Sequence, residues 1–172
     1  MTRELKSGMI RGTVILAAIV VILDYTLHFT GTKIPFPPYP GLEFDLDGVP
    51  IVLSLLHYGP YSAVATSFVA FVAILARSGD IVGASMKGLA EFATIIGLLL
   101  FYKSHSRGRR ALAVVSGTLS RVLVMALAMI AYNPLEKAIP LLPISVTFNV
   151  IAAIISILGG YLVYSVLSKR KL

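Results

Sequence analysis

The chain has 172 residues, 57% of them hydrophobic and 13% charged, with a net charge of +7 and no cysteine. A soluble domain carries roughly 25% charged residues, so this composition excludes a soluble enzyme or binding domain and points to an integral membrane protein. Without cysteine there are no disulfides, thiolate metal sites or cysteine nucleophiles.

The positive charge is not laid out as a nucleic-acid patch. Arg3, Lys6 and Arg11 precede the first apolar run, Lys103, Arg107, Arg109 and Arg110 share one loop, and Lys169, Arg170 and Lys171 end the chain. Ten of the fifteen cations therefore flank hydrophobic segments, which is the positive-inside pattern. The apolar runs cover 12–30, 49–58, 61–76, 84–102, 111–132 and 141–167. The first is too long for a signal-peptide core and is followed by no small-residue cleavage site, so it reads as a retained span. Tyr58-Gly59-Pro60 breaks the stretch 49–76 into two helices. Only that division puts the basic N-terminus and the basic loop on one side. The expected fold is therefore all-α: one membrane domain over 1–172, six transmembrane helices, both termini cytoplasmic, in the plasma membrane.

Spans two and three are short for a hydrocarbon core of ~30 Å. They need cover from protein, or a cavity to line. The segment 31–46 is Pro-rich and reads as an extended, stiff outer loop. Asp47 stands where an N-cap belongs, with Pro50 in the first turn of the next helix. If the segment is extended, Glu43, Asp45 and Asp47 fall on one side of it. They lack EF-hand spacing. Phe36, Tyr39 and Phe44 suit either a lid over a flat or apolar ligand or an interfacial aromatic belt.

Ionisable groups inside spans are costly and face cavities or each other. Asp24, Lys87, Glu91, Asn133 and Asn149 fall in the outer half of their helices, and Arg121 near the middle of helix five. This describes a pocket entered from outside. Lys87 and Glu91, four residues apart, also suit a simple pair. Arg121 suits a structural partner of Glu91 or Asp24, and Asn149 a helix–helix hydrogen bond. His28, His57 and His105 are scattered without ligand spacing. There is no GxSxG and no phosphate-binding GxxxxGK[ST], so ATP hydrolysis would have to come from a partner. Gly8, Gly12, Thr13, Ala17 and Ala18 form a small-residue stripe on helix one, a docking surface for another helix. A lipid-metabolism enzyme is the competing class. It would need carboxylates or His at the cytoplasmic face to hold Mg²⁺ and phosphate, and the inner loops here are basic.

Four stretches carry a family resemblance: "LEFDLDGVPIVL", then "YGPYSAV", "DIVGASMKGLAEFA", and "PISVTFNVIAAIIS" around Phe148-Asn149. The chain resembles the substrate-binding S components of energy-coupling factor (ECF) vitamin transporters, and is most similar to the riboflavin-binding branch. The resemblance implies a transport subunit rather than an enzyme. It implies an outward-facing pocket built from helices four to six and the outer loops, with riboflavin as transported ligand rather than cofactor. Helix one would dock on a transmembrane coupling subunit bearing two ATPases, with Thr13 and Ala17 as the small-residue pair. Asn149 would bond the flavin pyrimidine edge, and Lys87, Glu91 and Asn133 fall in pocket-lining regions. The loop 31–46, with Phe36, Tyr39 and Phe44, would be the lid, anchored to helix two by Asp45 and Asp47. Where the riboflavin branch carries a Lys about one turn after the Asn, this chain has Ala152. That leaves another vitamin or precursor open.

Overall fold

The structure, a computed structural model, describes residues 3–102 and 106–169. Lys103, His105, Arg170 and Lys171 lie outside the described residues, as do the side chains of Arg3, Lys6 and Arg107. Six helices and one hairpin follow in order: α1 (Arg3–Phe29), β1 (Ile34–Phe36), β2 (Tyr39–Phe44), α2 (Gly48–Tyr58), α3 (Pro60–Ser78), α4 (Ile81–Leu99), α5 (Arg107–Tyr132) and α6 (Leu135–Lys169). Five of the helices are long and apolar enough to cross a membrane, and α2 is a shorter apolar helix.

Local chemistry sets most boundaries. Gly59 adopts φ 97°, a backbone conformation open to glycine, and its N–H closes α2 by donating to Ser54 and Leu55 carbonyls. Pro60 then begins α3, where a missing N–H costs nothing. Gly79 ends α3 in the left-handed region at φ 66°. The Asp80 carboxylate accepts from the Val82 and Gly83 N–H groups and caps α4. Ser106 caps α5 through the Arg109 N–H.

The bundle is a ring in which α1 packs on α3, α3 on α4, α4 on α5, α5 on α6 and α6 on α2, with α2 closing against α1 and α3. Eleven residues make α2 only about 16 Å long. Its residues Pro50 to Leu55 are buried continuously, so the surrounding helices cover what the short helix cannot span. The core runs through Val20, Ile51, Leu55, Ile95, Leu98 and Ile157. Large apolar side chains such as Ile22, Leu123 and Leu162 point outward, as lipid-facing surfaces require. At the α4–α5 crossing, Gly97 lets the backbones meet, and the Ser116 hydroxyl donates to the Gly97 carbonyl at 2.8 Å.

Several expectations need correction. Within the helical bundle, the segment 31–46 is a short antiparallel β-hairpin rather than only an extended loop, pairing Ile34 with Phe44 and Pro35 with Glu43. At 19 residues, α3 is not short. The helix α6 begins at Leu135, not 141, and contains Pro140 and Pro143. Both lie beyond the four N–H groups that a helix start leaves unpaired, so each removes one i→i−4 bond, to the Glu136 and Ile139 carbonyls. Asp47 does not cap α2: its backbone is already helical (φ −61°, ψ −31°) and its side chain makes no capping bond. The small-residue stripe on α1 divides between two faces: Gly12 lies inward, while Gly8 and Ala18 are exposed. Ala17 is buried, and the Thr13 hydroxyl lies 2.6 Å from that of Ser62 on α3. Val14, Ile15 and Ile19 are exposed beside Ala18.

Candidate ligand site

At the hairpin end of the bundle, opposite the basic segments, lies a cavity of about 360 Å³. Each wall follows the helical repeat. From α4 come Met86, Lys87 and Ala90, from α5 Arg121, Met125 and Met129 at intervals of four, and from α6 Ser145, Phe148, Asn149, Ala152 and Ser156. Gly41, Leu42, Phe44 and Asp45 of the hairpin and its exit form the roof.

The polar floor is a connected set of charges. Arg121 is 2% exposed. It donates to the Glu91 Oε1 at 2.9 Å and, through Nε, to the Asn149 Oδ1 at 3.1 Å. Lys87 reaches the same Glu91 oxygen at 3.3 Å, one turn away on α4. Its Nζ also donates to Asp45 Oδ1 at 2.5 Å, tying the hairpin exit to α4. Two cations thus face two carboxylates, Asp45 and Glu91. Pairing of this kind is what makes buried charge tolerable.

The same bonds orient Asn149. Arg121 can only donate, so the amide oxygen must face it, and the amide nitrogen then donates to the Ser145 carbonyl at 2.9 Å. The amide nitrogen also donates to the Ser145 hydroxyl at 3.4 Å, so the group left for a ligand edge is one lone pair of the amide oxygen. Glu91 Oε2 is buried with no hydrogen-bond partner. It packs against Gly48, where a Cβ would meet both this oxygen and the Ser156 hydroxyl. Glycine at the start of α2 is therefore a packing requirement of the site.

The roof is held by an aromatic cluster. Phe44 stacks on Phe148 of α6 with ring centres 4.8 Å apart, and Phe36 packs obliquely on Phe148 at 5.6 Å. Such pairs contribute about 1 kcal/mol each beyond buried area. A second anchor stands at the base of the hairpin. Asp24 accepts from Lys33 at 2.7 Å and from Arg77 at 2.7 and 3.2 Å, joining α1, the approach to β1 and α3.

Of the residues proposed from sequence, Phe44, Asp45, Lys87 and Asn149 line the cavity. Glu91 lies behind its wall, bonded to Arg121. Phe36 is buried in the aromatic cluster rather than lining the cavity. Tyr39 is 45% exposed and stands outside it. Asn133 is also outside, at the C-cap of α5, where its amide donates to the Met129 carbonyl at 3.0 Å. Asp24 belongs to the second anchor, so Arg121 pairs with Glu91 and not with Asp24. The alternation of Glu43, Asp45 and Asp47 ends with β2 at Phe44. Glu43 is exposed, Asp45 bonds Lys87, and Asp47 is fully buried. Met86, Met125, Met129, Ser145 and Ser156 were missed. Met125 and Met129 follow Arg121 at four and eight residues, and Ser145 and Ser156 lie four before and seven after Asn149, so helical spacing was their signal; Met86, next to Lys87, carried none.

No family model matches the chain, and no curated protein matches its sequence. Among solved structures, the chain matches an S component of a bacterial ECF transporter with a TM-score of 0.81. The identity is 22%, over 96% of this chain and 98% of that one. The two share a fold.

Proposed function

We propose that this chain is the substrate-binding S component of an ECF vitamin importer in the plasma membrane, and that its ligand is riboflavin. The observation that carries this reading is the roofed cavity. It has Phe44, Phe148 and methionine walls for the faces of a flat ring. Its floor charges compensate one another, which suits an uncharged ligand. Asn149 is held by Arg121 and by the carbonyl and hydroxyl of Ser145, with a lone pair of its amide oxygen to spare, which suits an N–H on an amide-like edge. The S-component fold of the solved neighbour supports the same assignment.

Ala152 lies on the cavity wall where the riboflavin branch carries a Lys. The cation beside Asn149 is instead Arg121, supplied from α5. This keeps a second reading in view, a different vitamin or precursor of similar shape. The lipid-enzyme alternative is weakened because Asp24, Asp45 and Glu91 are each engaged by cations. They have little capacity left for Mg²⁺. Coupling to a membrane subunit with two ATPases would use the outward face of α1 along Val14 and Ala18, with Thr13 holding α1 to α3.

The test is direct. The protein purified in detergent is expected to carry a yellow chromophore released on denaturation, and to quench flavin fluorescence on titration. A colourless protein that leaves flavin fluorescence unchanged rejects riboflavin. Binding of another vitamin by the same preparation would then select the second reading.

A further inference from the structure

A second cavity, about 830 Å³, opens at the opposite, basic end of the bundle. It shares no residue with the ligand cavity. Its walls are the last turn of α2, the Gly59-Pro60 turn, the first turn of α5 and the last turns of α6. Burial orders these walls. Leu55 is fully buried and Leu56 partly so, whereas Arg110, Ser165 and Lys169 are exposed. The interior is apolar and the mouth is cationic and hydroxyl-bearing.

We propose that this cavity binds the phosphate of an anionic phospholipid, with Arg110 and Lys169 meeting the charge and Tyr164 and Ser168 donating hydroxyl hydrogens. Three observations carry the assignment. No carboxylate lines the cavity among the described residues. Of the chain's eight carboxylates only Glu4 falls in the basic segments, against ten cations. The helix ends around the cavity do not need the cations as caps. Gly59 already closes α2, and the Phe101 and Tyr102 N–H groups take the Leu98 carbonyl of α4.

The location suits a lipid more than a soluble ion. The cavity sits where spanning helices end, at headgroup depth. Its apolar interior can take the glycerol and first acyl carbons, and a guanidinium matches phosphate geometry. Basic pockets between helix ends recognise anionic headgroups in this way. The wall is braced for the purpose: His57 of α2 packs edge-on to Tyr164 of α6 at 6.0 Å, and Tyr58 lies over Gly12 of α1.

The test is native mass spectrometry of the full chain in detergent, titrated with phosphatidylglycerol and phosphatidylcholine. Two cations near the membrane surface predict retention of phosphatidylglycerol by roughly thirtyfold over phosphatidylcholine. The pair Arg110→Gln/Lys169→Gln is expected to bring that ratio near one. Arg11→Gln/Arg109→Gln removes equal charge from the same end without touching the cavity, and is expected to keep it. Equal retention of the two lipids by the parent overturns the proposal. So does an equal loss in both double variants, which would make the effect diffuse charge. Should the cavity pair fail to fold, each single variant is expected to lose about fivefold, and no loss in either overturns the site. Glycerol phosphate at millimolar concentration should leave the lipid bound. Displacement would keep the phosphate chemistry but overturn the lipid as its source.

Discussion

Asp47 makes the protein's stability depend on pH in a direction that can be worked out from its surroundings. It lies outside the spanning helices, at the start of α2, with no exposed surface and no hydrogen-bond partner for either oxygen. Burial pushes its carboxyl up to about 8, the Asp45 charge adds to the rise, and Lys87 opposes it. The ordinary value is 3.8, so the folded state holds the proton more tightly than the unfolded chain does. The associated stability is present in acid and is lost as pH rises from about 4 through about 8. Inside that window one proton separates the two states, and the slope is about 1.4 kcal/mol per pH unit. Raising the pH from about 6 to about 7.5 then costs roughly 2 kcal/mol, a fall in Tm of about 4–8 °C for a chain of this size. Asp47→Asn keeps the shape without the ionisation. It is expected to shift Tm by a constant amount and to remove this part of the slope. The assay is thermal unfolding in detergent, followed by circular dichroism, for both proteins across the range. Parallel pH dependence in parent and variant would refute the reasoning.

Three further outcomes follow from the packing. Arg121→Met leaves Glu91 with Lys87 alone in a closed site and is expected to destabilise by about 3–5 kcal/mol. Adding Glu91→Gln should restore more than half, as read in the same thermal assay. Lys87→Ala and Asp45→Asn each cut the tie between roof and floor. Each is expected to weaken ligand binding about tenfold, and the double variant little further, because the two residues share one interaction. Fluorescence titration measures this, and fully additive losses would argue against a shared tie. Gly97→Ala puts a Cβ into the Ser116 carbonyl of α5. It is expected to cost about 1–3 kcal/mol by forcing the helices apart, with a matching drop in Tm and unchanged helical content.

Much of this molecule is written in short-range chemistry. Apolar runs and their punctuation by Gly59-Pro60, Gly79 and Asp80 mark the helices, because capping and breaking act within a few residues. Helical spacing likewise places Lys87 beside Glu91 and lines up Ser145, Phe148, Asn149 and Ala152 on one face. Partners are another matter. Asp45 meets Lys87 across 42 residues, Arg121 meets Glu91 across 30, and Asp24 meets Arg77 across 53. Every one of these separations is closed by the order in which helices pack around α2. The inward turn of Thr13 and Ala17, the hairpin register and the burial of Asp47 were decided in the same way. A side chain's neighbours along the chain set its helix face, but only the assembled bundle sets whether that face meets lipid, a cavity or an opposite charge.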